Sequence, residues 1–130
     1  MYSIEKKPYG YKLTFGGAIP AEEMSVWVKE SKSALLGSPK EFGVLVDMRT
    51  LKPIGDDSQK HMQEGQKLYK QSGMSRSAVI LSSLVTKMQF QRLAKETGIY
   101  AWERYLDASS TPEWEKIGID WLTKGTDPDK

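Results

Sequence analysis

The residues best suited to chemistry are two charged side chains in the middle of the chain. Asp47 and Arg49 flank Met48 at the end of an apolar stretch, so on a strand both side chains lie on one face, about 7 Å apart. Such a pair could bind a polar ligand. It could also be a structural ion pair at the strand end or cap nearby backbone, and this is the simpler interpretation.

A second cluster, Asp56, Asp57 and Ser58, follows after a short interval and begins a predicted helix. Acidic residues at a helix start are favoured by the helix dipole, so these carboxylates need no metal to explain them. His61 is the single histidine, and the chain has no Gly-x-Ser-x-Gly elbow that would mark a serine nucleophile. The sequence therefore predicts neither a catalytic residue nor a metal site.

Composition removes several further classes of function. The chain has 130 residues and no cysteine, which excludes disulfides, thiolate zinc sites and iron–sulfur clusters. No Gly-x-Gly-x-x-Gly or Walker-type loop occurs, so no cofactor is predicted. The 19 basic and 17 acidic residues are interspersed, which gives little support for nucleic-acid binding. No apolar run approaches the roughly 20 residues of a transmembrane segment, and no apolar signal sequence follows Met1, so we expect a cytoplasmic protein.

The elements that must position these residues alternate between strands and helices. Strands are predicted where apolar residues alternate or run together, over residues 2–7, 11–15, 42–48, 77–81 and 100–107. Helices are predicted over 20–36, over 56–72, over a third stretch that ends before Gly98, and over a fourth capped by Thr111. The first two strands form a hairpin, the third is buried on both faces, and the last has the mixed pattern of an edge strand.

This β-β-α-β-α-β-α-β-α order predicts the α/β class, with a single mixed, mostly parallel five-stranded sheet and about four helices. Residues 1–124 are expected to form one domain, and 125–130 a flexible tail. In such a sheet the loops at the carboxyl ends of the strands gather at one edge, which is the usual binding edge. The loop that leads to Asp56 and Asp57 belongs to that edge.

The third helix contains more apolar residues than one face can hold. At 100° per residue they fall into two sets on opposite sides, the first comprising Leu84, Val85 and Met88 and the second Phe90, Leu93 and Ala94. Only one set can face the sheet. Either the helix begins only near Lys87, which is the simpler interpretation, or the set that includes Met88 is free to contact a partner.

A family resemblance rests on segment 42–58, in which a buried strand ends in Asp47-Met48-Arg49 and a short loop leads to Asp56-Asp57-Ser58 at a helix start. This segment resembles the STAS domain of anti-sigma factor antagonists. Over residues 2–124 the element order, together with the runs 76–80, 91–100 and 103–105, is similar to the SpoIIAA-like group of STAS/SEC14-type bacterial proteins.

The resemblance also bears on regulation. In phosphorylation-switched antagonists, a serine at this helix start is phosphorylated, and the phosphate blocks binding to the anti-sigma partner. Asp56 and Asp57 stand near the position of the serine pair here. An aspartate carries one negative charge where phosphoserine carries about 1.5 to 2, so it can mimic the modified state without being switchable.

Two functions are expected from these observations. The first, implied by the STAS resemblance, is a non-enzymatic regulatory or scaffolding module that binds a protein partner. The second, implied by the SEC14-like resemblance, is a carrier or sensor of a small apolar or lipid-like ligand. A homodimer is compatible with both. The candidate contact residues for a partner or ligand are Asp47, Arg49, Asp56, Asp57, Ser58 and Met88.

Overall fold

One five-stranded sheet forms the centre of the structure, a computed structural model that describes residues 1–130. Its strands lie in chain order, with β1 antiparallel to β2 and every other neighbouring pair parallel. They are β1 (Tyr2–Lys7), β2 (Gly10–Gly17), β3 (Phe42–Leu51), β4 (Met74–Leu81) and β5 (Glu103–Asp107). The predicted class, with a mixed and mostly parallel five-stranded sheet, is confirmed.

Four α-helices complete the predicted order of elements, namely α1 (Ala21–Ala34), α2 (Asp56–Ser72), α3 (Leu84–Thr97) and α4 (Trp114–Lys124). Several boundaries differ from the expected ones: β4 begins at Met74 and not at Ser77, β3 extends to Leu51, and the last strand and the last helix begin later than predicted. Tyr100–Trp102 forms a 3₁₀ turn, so only the second part of the predicted last strand pairs with β4. α4 begins at Trp114 and not beside Thr111, because the intervening residues form a turn closed by a hydrogen bond from the Trp114 amide to the Thr111 carbonyl.

Helices α1, α2 and α3 all cover the same face of the sheet. Each parallel strand is added on the same side of the previous one, and right-handed crossovers then place every connecting helix on one face. α4 follows the last strand and covers the other face. β3 lies in the middle and is buried on both sides, with Val44 and Val46 in the larger core and Leu45 under α4.

The contact between α1 and α2 depends on a residue without a side chain. The Trp27 ring of α1 stacks on Tyr69 of α2 with their centroids 5.8 Å apart, and its edge meets the backbone of α2 at Gly65. A Cβ atom on Gly65 would lie 2.0 Å from that ring. Glycine at this position therefore sets how closely the two helices approach.

The segment after α4 returns to the edge strand β5. Arg104 donates two hydrogen bonds to the Asp127 carboxylate, at 2.9 and 3.0 Å, and these bonds lower the pKa of Asp127 to about 2. The Arg104 guanidinium also lies over the Trp121 ring, 4.4 Å from its centroid. These contacts attach the tail to β5 at Asp127.

Candidate functional site

The first two turns of α3 expose three neighbouring apolar side chains. The helix begins at Leu84, so the expected late start near Lys87 is wrong. Ser83 caps the helix by accepting a hydrogen bond from the Thr86 amide at 3.2 Å, which is a common role of serine at a helix start. Leu84, Val85 and Met88 are 71%, 62% and 62% exposed, whereas the apolar set on the opposite side of the helix is buried.

The start of α3 is joined to the loop that leads into α2. The side-chain amide of Gln89 forms two hydrogen bonds with the backbone of Ile54. Its Oε1 accepts from the Ile54 amide at 2.9 Å, and its Nε2 donates to the Ile54 carbonyl at 2.8 Å. Thr86, which is itself buried, donates to the Leu51 carbonyl at 3.5 Å. These contacts bring the starts of both helices to the same edge of the sheet.

The two helices then run side by side. Arg92 of α3 donates a hydrogen bond to Gln59 of α2, and a second polar contact joins the helices one turn later. Asp56 lies about one turn before Gln59 on α2, and Met88 lies about one turn before Arg92 on α3. They are therefore neighbours at the carboxyl edge of the sheet.

We call the surface formed by Asp56, Asp57, Leu84, Val85 and Met88 the α2–α3 edge. The side chain of Asp57 is 80% exposed, and it forms an ion pair only with Lys60 of its own helix, at 3.8 Å. Two carboxylates at the start of α2 and three exposed apolar side chains at the start of α3 thus lie at the same edge of the sheet. Of the predicted contact residues, this surface brings together Asp56, Asp57 and Met88.

Ser58 lies below this surface. Its side chain is buried, and its hydroxyl donates a hydrogen bond to the Ile19 carbonyl at 3.0 Å. A phosphate on this oxygen would break the bond and would need space within a packed region. Ser58 therefore holds α2 against the loop after β2 and is not available to a partner.

Asp47 and Arg49 lie on the opposite face of the sheet, beside α4. Arg49 donates two hydrogen bonds to the two carboxylate oxygens of Asp47, at 3.0 and 2.9 Å. Its guanidinium lies over Trp114, 4.4 Å from the ring centroid. Burial raises the pKa of Asp47, but the hydrogen bonds and the charge of Arg49 outweigh it, so the pKa is lowered. The pair has the geometry of a structural ion pair, and the sheet separates it from the α2–α3 edge.

The interior offers little room for an apolar ligand. The apolar cavity between the sheet and α1, α2 and α3 has a volume of about 30 Å³. This volume is enough for about two water molecules. Pockets for small organic ligands have volumes of roughly 300–1,000 Å³. A lipid-like ligand would therefore require lining side chains such as Met62 and Phe90 to move.

One buried carboxylate is absent from the predicted contact residues. Glu103, the first residue of β5, points into the core and is 6% exposed. The alternation of side chains along β5 could have shown that Glu103 and Leu106 lie on opposite faces of the sheet. Because Leu106 packs under α4, Glu103 and Tyr105 must face the core on the other side of the sheet.

The remaining polar groups do not assemble a metal site. No group of three or more histidine, aspartate or glutamate side chains is placed to hold a metal ion. His61 is paired with Glu64 of its own helix, with 3.0 Å between Nδ1 and Oε1. None of the helices is both long enough and apolar enough to cross a membrane.

No family model, curated protein or solved structure matches this chain. The α2–α3 edge is the region where predicted contact residues and exposed apolar side chains coincide.

Proposed function

We propose that the chain is a non-enzymatic interaction module, with a regulatory or scaffolding role, that binds a protein partner through the α2–α3 edge. The observation that carries the proposal is the exposure of Leu84, Val85 and Met88 on a capped helix. Burying such side chains against a partner is favourable, because it removes apolar surface from water. Methionine in particular is enriched at protein interfaces.

The charges beside these side chains define what the partner must offer. Asp56 and Asp57 occupy the first turn of α2, where the helix dipole favours acid. A partner with an apolar segment and a neighbouring lysine or arginine would complement both parts of the surface. The resemblance to anti-sigma factor antagonists places these two aspartates near the switch serine, so we infer that phosphorylation there does not control binding.

The alternative function, a carrier or sensor of a small apolar ligand, has less support. The interior cavity of about 30 Å³ is too small for such a ligand without rearrangement. Trp27 and Phe90, two of the aromatic residues that suggested a carrier, are each 2% exposed and pack in the core. They are explained by their contribution to the core.

The proposal is tested by affinity capture from a lysate of the source organism with matched variants. Met88→Lys and Asp57→Lys change the apolar and the acidic part of the α2–α3 edge. Leu36→Lys changes a leucine that is 88% exposed beyond the end of α1, at the opposite edge of the sheet. We expect wild type and Leu36→Lys to retain a stoichiometric partner, and the other two variants to bind it at least about tenfold more weakly.

The controls separate folding from binding and one partner from another. All three substituted side chains are exposed, so the circular dichroism spectra of the variants should match that of wild type. Sedimentation of the purified chain shows whether the partner is a second copy. Equal capture by all four proteins would contradict the α2–α3 edge as the binding surface. A co-purifying lipid without a protein partner, seen by native mass spectrometry, would favour the carrier.

A further inference from the structure

Glu103 is a buried carboxylate whose hydrogen-bond partners are all neutral. Ser77 Oγ, directly opposite on β4, donates to Oε1 at 3.0 Å, and the Tyr105 hydroxyl donates to Oε2 at 2.7 Å. No basic side chain contributes to the pKa of Glu103. Burial raises this pKa to about 7, although both hydroxyl groups act to lower it.

Glu103 also separates two spaces of different character. One is the apolar cavity of about 30 Å³ within the core, and the other is an open groove of about 370 Å³ beside β5. The residue lines both. Opening of β5 on the groove side would therefore bring solvent to a carboxylate whose ionised form needs hydration.

The charged groups around Glu103 belong to the groove. Its titratable lining consists of Lys87 from α3, Tyr100 from the 3₁₀ turn, Arg104 and Tyr105 from β5, and Asp127, Asp129 and Lys130 from the tail. Lys95 lies over the Tyr100 ring at 4.8 Å, and Arg104 is bound by Asp127. α2 faces the cavity with Met62, Gln66 and Tyr69, and His61 lines neither space. Burial raises the pKa of Tyr69 to about 12, so its hydroxyl stays neutral between pH 5 and 8.

We propose that Glu103 makes the attachment of β5 to the core depend on pH. When Glu103 is protonated, β5 stays packed on the core, which is the closed form. When Glu103 is ionised, an open form is favoured in which water from the groove reaches its side chain. The closed form favours the neutral acid, because it buries the carboxyl group without a positive charge beside it, and the hydrogen bonds from Ser77 and Tyr105 offset this burial only in part. The open form favours the carboxylate, which is then hydrated. β5 is suited to such opening, since it has five residues and a single neighbouring strand, β4.

The sign of the pH dependence follows from the two forms. In an open form the pKa of Glu103 returns to the ordinary 4.5, whereas in the closed form it is about 7. Closure is therefore strongest below pH 4.5. Between these two pH values the open population should rise about tenfold per pH unit, and above about pH 7 it should level off.

Amide hydrogen exchange of the full chain between pH 5 and 8 tests the proposal. The amides of Arg104 and Leu106 face β4, because they alternate with the Ala108 amide, which bonds to the Leu81 carbonyl at 2.8 Å. After correction for the intrinsic exchange rate, their protection should fall up to about tenfold per pH unit and become constant above about pH 7.

Comparison with β3 separates local opening from global unfolding. Leu45 and Val46 lie in the middle of the sheet, so their amides report opening of the whole domain. We expect Arg104 and Leu106 to be at least about tenfold less protected than these two throughout the pH range. Equal protection would overturn the proposal, because β5 would then open only with the whole molecule.

Three variants identify the group that titrates. Glu103→Gln keeps the shape of the side chain without its charge, so the fall in β5 protection between pH 5 and 7 should disappear. Tyr105→Phe removes a hydroxyl that lowers the pKa of Glu103, so the constant region should begin at a higher pH. His61→Gln should behave as wild type. An unchanged profile in Glu103→Gln, or a flat profile in wild type, would overturn the proposal; Tyr105→Phe gives an independent result if Glu103→Gln fails to fold.

Discussion

Replacing Gly65 with alanine should destabilise the protein, although alanine is the better helix former. On an unobstructed helix this change would stabilise the protein by about 1 kcal/mol. Here the new Cβ atom would lie 2.0 and 2.1 Å from two atoms of the Trp27 ring. To restore an ordinary contact of 3.4 Å, the ring and α2 must separate by about 1.4 Å.

The Trp27 ring has little room to retreat. It stacks on Tyr69, makes an edge contact with Phe15 at 5.1 Å, and is 2% exposed. Overpacking a core typically costs about 1–3 kcal/mol, and so large an overlap belongs in the upper part of that range. The helix propensity of alanine offsets about 1 kcal/mol, so we expect Gly65→Ala to lower the free energy of unfolding by about 1–2 kcal/mol. Because a shift of α2 also moves Asp56 and Asp57, the variant should bind a partner of the α2–α3 edge more weakly.

Urea unfolding followed by circular dichroism measures this loss. Gly55→Ala is the matched control, because a Cβ atom there meets nothing within 4 Å, and its cost at the start of α2 should stay below about 1 kcal/mol. In a Trp27→Phe background the ring atoms that the new methyl group meets are absent, so Gly65→Ala should be neutral or stabilising. A more stable Gly65→Ala, or an equal cost in both backgrounds, would refute the steric explanation.

Two further substitutions test the roles assigned to predicted contact residues. Asp47→Asn should lower the free energy of unfolding at pH 7 by about 1 kcal/mol, since the ion pair with Arg49 is partly exposed. The lowered pKa of Asp47 means that its contribution is present above about pH 4 and is lost as the pH falls further. The difference from wild type in urea unfolding should therefore shrink below about pH 4, and a difference that stays constant would contradict this role. Ser58→Ala leaves the Ile19 carbonyl without its partner and should cost about 1–2 kcal/mol, and Ser58→Asp should cost more because it places a charge in a buried position. Thermal unfolding measures both, and an unaffected Ser58→Asp would show that this position is accessible.

α2 is the helix whose bounds could be predicted from the sequence. Its observed range, Asp56–Ser72, is the predicted one because both ends carry local signals. Acidic residues favour the start, and Gly73 ends the helix with a φ of 121°, which glycine adopts more readily than other residues. The position of Asp56 and Asp57 at the carboxyl edge of the sheet follows from the same local pattern.

The start of α3 could not be predicted in the same way. From the sequence alone, either of its two apolar sets could be the buried one. Which set is buried depends on the residues that pack against the helix. The hydrogen bonds between Gln89 and the backbone of Ile54, a residue 35 positions earlier, fix the orientation of the helix. The set with Phe90 then faces the core, and Met88 remains exposed beside α2.

By itself, the sequence determined the α/β class, the order of the elements and the central position of β3. These properties follow from the local period of apolar residues and from the right-handed connection of parallel strands. Only the tertiary structure decided that the start of α3 stays exposed, that Ser58 is buried and that the strand face with Glu103 is the one that covers the larger core. Each of these depends on contacts between residues far apart in the chain, such as Ser77 with Glu103, and no local pattern specifies such contacts.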